Sequence, residues 1–166
     1  MAIVGIIGKQ SNEITETLVD LCQKKGQTAL VGYHKIAENN VIPIVSIDEN
    51  KFSPPKVFIL QEATKSIDGI INHLNGDGYL IVNTDSRISP LPSNKGVITY
   101  GLNGKASVTA SSIADEALQV CIQRGFRSLS GCPYEPQEFK ASCPAGSDPL
   151  NVLGAVTACA VCDCWF

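Results

Sequence analysis

The sequence predicts an α/β fold in which a mostly parallel sheet is flanked by helices, with a small antiparallel β extension in the C-terminal half. Two observations lead to this class. Up to residue 101, short apolar segments rich in β-branched residues alternate with segments of helical periodicity, which is typical of a parallel sheet. From residue 106 onward, short strand-like segments are instead separated by glycine-rich turns.

The first 26 residues predict a buried strand, a glycine turn and an amphipathic helix. Residues 3–7 are mostly β-branched, and such a short apolar run suits a strand that is covered on both faces. We expect Ser11 or Asn12 to cap the helix and Gly26 to end it. Free backbone N–H groups and the helix dipole both point at such a turn, so it is a candidate anion site. A βα unit without a ligand is the alternative.

Four more strands and one helix are predicted before residue 102. The strands cover residues 28–33, 56–61, 79–82 and 96–101, and the helix covers residues 66–74. Residues 34–40 are polar and are not assigned to a strand. Pro43 reduces the apolar segment 41–47 to an edge or irregular segment, because proline cannot donate a hydrogen bond to the ladder.

The C-terminal part predicts strands over residues 106–112, 117–123 and 134–141, then a final helix over residues 148–163. These strands form the predicted antiparallel extension. We expect residues 1–166 to form a single domain, because no repeat, low-complexity segment or linker divides the chain.

Composition excludes several classes of protein. The net charge of −3 gives no reason to expect a nucleic-acid partner. No apolar run reaches the roughly 18–20 residues of a membrane span, and the first residues do not have the pattern of a secretory signal. We therefore expect a cytoplasmic protein with no membrane partner.

The chain contains seven cysteines, and because its first residues do not have the pattern of a secretory signal, a disulfide framework is not expected. Cys159 and Cys162 have a zinc-site spacing, with Cys132 and Cys143 as candidate partners. Because the pair falls within the predicted final helix, buried reduced thiols are favoured over zinc. A cysteine-based metal or redox protein is kept as an alternative.

The remaining side chains of interest carry weaker signals. His34 and His73 are interpreted as separate surface residues. Trp165 and Phe166 are expected either to close the core or to form a self-association patch.

Polar residues and glycines follow the predicted parallel strands, where open α/β sheets bind ligands. These strand-end positions are Gly8, Glu62, Asn83, Asp85 and Gly101. The coincidence predicts a site at this edge of the sheet, although for Asn83 and Asp85 an ordinary turn-forming role is slightly favoured.

Five sequence motifs follow one another in the order found in a known family. Residues 96–113 (GVITYGLNGKASVTASSI) resemble the central, ATP-binding domain of the Mur ligases, whose "TYG" strand precedes an "ADVTAS" strand. Residues 5–15 (GIIGKQSNEIT) are similar to the family's "GITGTNGKTTT" loop. Residues 59–64 (ILQEAT), 80–85 (LIVNTD) and 151–158 (NVLGAVTA) match the next three motifs.

This resemblance implies a P-loop-type sheet and the chemistry of an ATP-dependent amide ligase for peptidoglycan precursors of the cell wall. It implies ATP and Mg²⁺ as cofactors, with Glu62 as the candidate Mg²⁺ ligand and Asn83, Asp85 and Gly101 as other cleft residues. The nucleotide-binding candidates that it implies are Gly5, Gly8, Lys9, Gln10, Ser11, Asn12 and Asn151.

Departures from the family pattern make a complete ligase doubtful, and no catalytic residue is assigned. The alignment puts Asn12 at the P-loop lysine and Glu13 at the metal-binding hydroxyl. The family's N-terminal uridine-nucleotide domain and C-terminal ligase domain have no counterpart. We therefore expect a catalytically incomplete binding or regulatory protein that self-associates or has a protein partner. An active ligase or ATPase completed by a partner chain is the alternative.

Overall fold

The structure is a computed structural model that describes residues 2–37, 40–47, 54–62, 67–74, 76–86, 88, 91 and 96–164. Within these residues the strands are β1 (Ala2–Ile7), β2 (Ala29–Ala37), β3 (Asn40–Ile47), β4 (Val57–Leu60), β5 (Tyr79–Asn83), β6 (Gly96–Tyr100), β7 (Val108–Ala114), β8 (Ala117–Ile122), β9 (Phe126–Arg127), β10 (Pro133–Tyr134) and β11 (Gln137–Ser142). The helices are α1 (Ser11–Lys24), α2 (Ile67–His73) and α3 (Pro149–Val161).

The described strands form one large mixed sheet in the order β11-β8-β7-β6-β5-β4-β1-β3-β2, with β9 and β10 as a separate ribbon. Neighbouring strands from β1 through β4, β5 and β6 to β7 are parallel. β8 and β11 add the antiparallel extension. The predicted α/β class is confirmed, with one addition: β3 and β2 form a second antiparallel extension beside β1.

The two faces of the sheet pack on different helices. Because neighbouring residues of a strand point to opposite faces, Val4 and Ile6 join the core cluster of α1 and α3. Ile3 and Ile7 join the second cluster, which contains residues of α2. All six residues of β1 are buried, as its apolar sequence predicts. β1 is thus a central strand of the sheet, and the glycine turn follows directly from it.

The interpretation of Pro43 as a sign of an edge or irregular segment is wrong. Pro43 lies in β3, which pairs with β1 on one side and with β2 on the other. Pairing with β1 ends at Ile44, so Pro43 faces no β1 partner that needs its missing N–H. The prediction that residues 34–40 lie outside the strands is also wrong, since β2 continues through Ala37 and His34 pairs with Ile42.

The capping prediction for α1 is half right. Gln10 is the N-cap residue and makes no side-chain capping bond, so Ser11 and Asn12 are already inside the helix. The turn between β1 and α1 is short, and it is closed by a 3.3 Å hydrogen bond from the Ser11 N–H to the Gly8 carbonyl oxygen. Gly26 has a φ of +77°, which confirms it as the residue that ends the helix.

The final helix is confirmed, and it is buried from Asn151 to Val161. Asp148 caps it by accepting a 2.9 Å hydrogen bond from the Leu150 N–H, and Pro149 begins it. Gly154 brings the helix close to the sheet, because a Cβ there would lie 3.1 Å from Tyr100 Cζ. Among the described residues, no helix is long and apolar enough to span a membrane. Trp165 and Phe166 lie outside the described residues.

Candidate functional site

A cleft of about 380 Å³ opens at the carboxyl ends of the parallel strands. It is lined by Lys9, Gln10, Gln61, Glu62, Asn83, Ser86, Tyr100, Leu150 and Asn151. α1, which follows β1, and α2, which follows β4, pack on opposite faces of the sheet. The strand order therefore reverses between β1 and β4, and open α/β sheets bind ligands in the crevice at such a point.

A relay of three side chains crosses the floor of this cleft. Asn151 donates from Nδ2 to Glu13 Oε2 at 2.6 Å, and its Oδ1 accepts from Gln61 Nε2 at 2.9 Å. A carboxylate only accepts hydrogen bonds, so Glu13 fixes which way the Asn151 amide faces. Asn151 in turn fixes the Gln61 amide. The relay connects the first turn of α1, the first turn of α3 and the end of β4.

The relay leaves one acceptor without a partner. Gln61 Oε1 is shielded from solvent and has no hydrogen-bond partner among the described residues. It lies against the turn after β1, because a Cβ added at Gly8 would overlap it. Gly8 has a φ of +150°, which side chains rarely adopt, so glycine both forms this turn and makes room for Gln61. Buried polar atoms are nearly always paired, so this acceptor is an exception among the described residues.

The side of the cleft at the end of β5 is held by side-chain hydrogen bonds to the backbone carbonyl of Gln61. Ser86 Oγ donates to the Gln61 carbonyl oxygen at 2.7 Å, and Asn83 Nδ2 donates to the same oxygen at 3.2 Å. Asn83 Oδ1 accepts from the Asp85 N–H at 2.9 Å, which is an Asx turn. Asn83 is therefore both a cleft residue and the turn former that the sequence suggested.

Asp85 and Gly101 meet each other rather than converging on Glu62. Asp85 Oδ2 accepts from the Leu102 N–H at 2.7 Å, and its Oδ1 accepts from Asn103 Nδ2 at 2.5 Å. A Cβ at Gly101 would be 3.0 Å from Asp85 Oδ2. These two candidates hold the loop after β6 against the turn after β5.

The charged side chains near the cleft mouth carry no net positive charge. Lys9 Nζ lies 3.7 Å from Glu62 Oε2, and the Lys9 side chain is 88% exposed. Such an exposed pair contributes at most about 1 kcal/mol. Glu13 adds a second carboxylate in the first turn of α1. The mouth therefore carries no positive excess that would favour a polyphosphate.

The other nucleotide-binding candidates are placed differently. Gly5 is buried within β1, where a Cβ would be 2.6 Å from Phe58 Cε1, so its smallness serves packing. Ser11 and Asn12 lie in the first turn of α1, whereas Gln10 and Lys9 reach the lining of the cleft. Their roles in nucleotide binding stay predictions.

Tyr100 closes the back of the cleft at the end of β6. Burial, and after it the charges of Asp148 and Asp85, raises the pKa of the Tyr100 phenol above its ordinary value. The phenol is neutral at physiological pH, and the side chain forms part of the cleft lining. Tyr100, Ser86 and Gln61 were not predicted from the sequence, although Gln61 and Tyr100 both stand at strand ends.

Metal-site candidates find limited support in the geometry. Across the part of the chain that the structure describes, no group of three or more His, Cys, Asp or Glu residues is arranged to hold a metal ion. Cys159 and Cys162 are buried at the end of α3, and Cys132 is exposed. Mg²⁺ at Glu62 stays a prediction. The view of His34 and His73 as separate surface residues is wrong, since their rings are 5.6 Å apart.

Comparison with known proteins gives little to set beside this site. No family model matches the chain, and no curated protein matches it. One solved structure to which it is similar is the gamma subunit of a keto/oxoacid ferredoxin oxidoreductase from Geobacter sulfurreducens PCA. The two share 16% identity over 58% of each chain, with a TM-score of 0.41. A likeness this weak says nothing about what the present chain does.

The expected membership of the Mur ligases is wrong. No family model and no curated protein supports it, and nothing in the comparisons points to a Mur ligase. The inferred ligase function and the cell-wall and peptidoglycan assignment are withdrawn with it. Within the site, Asn151 and Glu13 bond to each other, and a nucleotide-binding role for Asn151 stays a prediction.

Proposed function

We propose that this domain binds an uncharged polar molecule of nucleoside size in the cleft between β1 and β4. The cleft at the point where the strand order reverses, with its lining of amide side chains, is the observation that carries the proposal. A volume of about 380 Å³ falls within the range of small-molecule sites. Clefts at this position in open α/β sheets are typical sites for nucleotides and related ligands.

The chemistry of the lining favours recognition by amides. Gln10, Gln61, Asn83 and Asn151 all line the cleft. The amides of Gln61, Asn83 and Asn151 already make hydrogen bonds within the protein, so they offer a ligand only their remaining N–H and lone-pair positions, whereas Gln10 offers its whole amide. Asn and Gln side chains make paired hydrogen bonds with the edge of a base such as adenine. Leu150 adds an apolar surface on which a flat ring can lie. A nucleoside matches this combination.

The charges argue against a phosphate as the main recognition element. Lys9 faces Glu62, and Glu13 places a carboxylate at the start of α1, where an anion would otherwise be favoured. We therefore expect adenosine to bind at least as tightly as ATP. Mg²⁺ is expected to improve ATP binding by offsetting the negative charges.

Isothermal titration calorimetry of the full chain tests the proposal, using adenosine, guanosine, cytidine and uridine, and ATP with and without Mg²⁺. At least one nucleoside is expected to bind. Gln10→Ala should weaken binding by about tenfold, equivalent to the loss of about one hydrogen bond. Gln23→Ala, at the exposed opposite end of α1, is the matched control and should bind normally.

Two results would overturn this function. One is the absence of binding by all four nucleosides at millimolar concentration. The other is ATP with Mg²⁺ binding at least about tenfold more tightly than adenosine, because the cleft would then select a phosphate. The P-loop type of the sheet, ATP and Mg²⁺ as cofactors, and self-association or a protein partner stay predictions alongside it.

A further inference from the structure

The two outer strands of the large sheet differ in how they are protected. Among the described strands, β2 is the last at one edge and β11 is the last at the other. β11 carries the exposed charged residues Glu138 and Lys140, which is a usual protection of a sheet edge. β2 is mostly apolar and carries a single lysine, Lys35. The edge at β2 is therefore the one that can still accept another strand.

Exposed apolar side chains are concentrated at this edge. Of the seven large apolar residues that are exposed in the described part of the chain, four lie on β2 and β3, namely Leu30, Val31, Tyr33 and Val41. Tyr33 is 72% exposed and Val31 is 49% exposed. Val31 pairs with Val45, which belongs to the core cluster of α1, so Val31 and Tyr33 lie on the α1 face of the sheet. Their exposure shows that α1 leaves this part of the face uncovered.

The regular part of β2 defines how a second strand can pair with it. Residues 29–35 pair with β3 in one unbroken register, and the register shifts between Lys35 and Ala37. A bulge of this kind ends regular pairing. The midpoint of residues 29–35 is Gly32. An antiparallel copy of the same strand centred there keeps each face of the sheet on the same side in both copies.

This arrangement makes β2 complementary to itself. Val31 of each copy lies opposite Tyr33 of the other, and pairs of an aromatic with a β-branched residue stabilise neighbouring strands. Lys35 lies opposite Ala29 of the other copy, so the two lysines do not meet. The partner that the edge requires is a strand with few charges and apolar residues on the α1 face, and β2 itself meets this description.

We propose that two copies of this chain associate through antiparallel pairing of their β2 strands about a two-fold axis at Gly32. The backbone N–H and C=O groups at the open edge are then paired by the second copy. Because both copies use the same surface, the assembly closes as a dimer. Pairing of β2 with β11 of another copy would instead build an open filament, and the charges of β11 oppose it. This interface is independent of the function proposed for the cleft.

The interface is small. Seven residues from each copy form it, whereas a standard interface has roughly 20–30 residues a side. We therefore expect a reversible dimer with a Kd on the order of 10–100 µM. Sedimentation velocity of the full chain from about 5 to 500 µM covers this range. A reducing agent is kept in every sample, because Cys132 is exposed and could link two copies by a disulfide.

Val31→Lys tests the pairing, because the new charge would lie opposite the Tyr33 ring of the second copy. It should weaken dimerisation by at least about tenfold. Ile113→Lys is the matched control, since Ile113 is 52% exposed and lies on β7, away from this edge. The control should dimerise like the unaltered chain. Circular dichroism checks that each variant is folded, and Tyr33→Glu, at a more exposed position, tests the same pairing independently.

The double variant Val31→Lys/Tyr33→Glu tests the register. Across the two-fold axis at Gly32, each introduced lysine would face an introduced glutamate, so the double variant should dimerise more tightly than either single variant. With the axis at Tyr33 the two glutamates would instead face each other and repel. The proposal fails if the unaltered chain is monomeric at about 500 µM, or if Val31→Lys and Tyr33→Glu dimerise as tightly as Ile113→Lys. It also fails if the double variant dimerises no better than the single ones.

Discussion

Glu13 and Asn151, 138 residues apart in the sequence, are joined by a 2.6 Å hydrogen bond between Glu13 Oε2 and Asn151 Nδ2. The bond ties the first turn of α1 to the first turn of α3, directly beside the cleft. Asn151 is buried and also accepts from Gln61, so the Glu13 carboxylate sets the orientation of two buried amides. Stability and the shape of the cleft are therefore coupled through one side chain.

Glu13→Ala should destabilise the protein by about 1–2 kcal/mol, because it leaves a buried amide donor unpaired and removes an acidic residue from the first turn of α1. Urea unfolding measures this change. Glu16→Ala is the matched control, because Glu16 is exposed one turn further along the same helix. The control should change stability by less than about 0.5 kcal/mol. Equal effects of the two substitutions would show that the Glu13–Asn151 bond contributes nothing specific.

Gly8→Ala should cost about 1–3 kcal/mol, because the added methyl group would require an unfavourable backbone conformation and would overlap the Gln61 side chain. Displacing Gln61 also disrupts its bond to Asn151. Gly104→Ala is the control, since a Cβ there meets nothing within 4 Å. Thermal and urea unfolding of both variants are the measurements. A Gly8→Ala protein as stable as the control would contradict this account of the turn.

Local patterns in the sequence were enough to predict most of the sheet. Short apolar runs form the strands β1, β4 and β5. Such runs are recognisable because a strand that is buried on both faces has apolar residues at nearly every position. The prediction for Pro43 was wrong because it considered one strand alone. Whether a strand tolerates proline depends on where the neighbouring strand stops pairing with it. That stopping point, Gly5 opposite Ile44, is a tertiary feature that no local pattern contains.

The candidate site was predictable in its position but not in its chemistry. Of the strand-end positions, Glu62 and Asn83 line the cleft, because the carboxyl ends of parallel strands share one edge. Their roles in binding stay predictions. The Glu13–Asn151–Gln61 relay joins three distant segments, and the meeting of His34 with His73 joins two more. Such contacts arise from packing between elements and leave no local pattern in the sequence. Motif order therefore could not predict them, and on its own it indicated the wrong family.

The cysteines should differ sharply in their reactivity with a thiol reagent such as Ellman's reagent. Cys132 is exposed, whereas burial raises the pKa of the Cys162 thiol and keeps it from forming the reactive thiolate. Burial, and after it Glu138, also raises the pKa of Cys121. We expect one fast equivalent per native chain, and Cys132→Ser should remove it. Fast reaction of Cys159 or Cys162 in the native protein would contradict the packing of α3.

The ribbon of β9 and β10 should give the protein a specific sensitivity to alkali. Tyr134 stacks on Phe126 with ring centroids 5.2 Å apart, and burial, followed by the charge of Asp163, raises the pKa of Tyr134 to about 12. The unfolded phenol titrates near pH 10. Between pH 10 and 12 the native state therefore keeps a proton that the unfolded state releases, so stability falls as pH rises.

Tyr134→Phe removes this proton, so its unfolding free energy should fall less steeply than that of the unaltered chain between pH 10 and 12. The measurement is urea unfolding at several pH values in that window, compared by slope rather than by absolute stability. Tyr33→Phe is the matched control, because Tyr33 is 72% exposed. Its slope should follow that of the unaltered chain. Parallel slopes for Tyr134→Phe and the unaltered chain would show that the Tyr134 phenol is not the group that couples stability to pH.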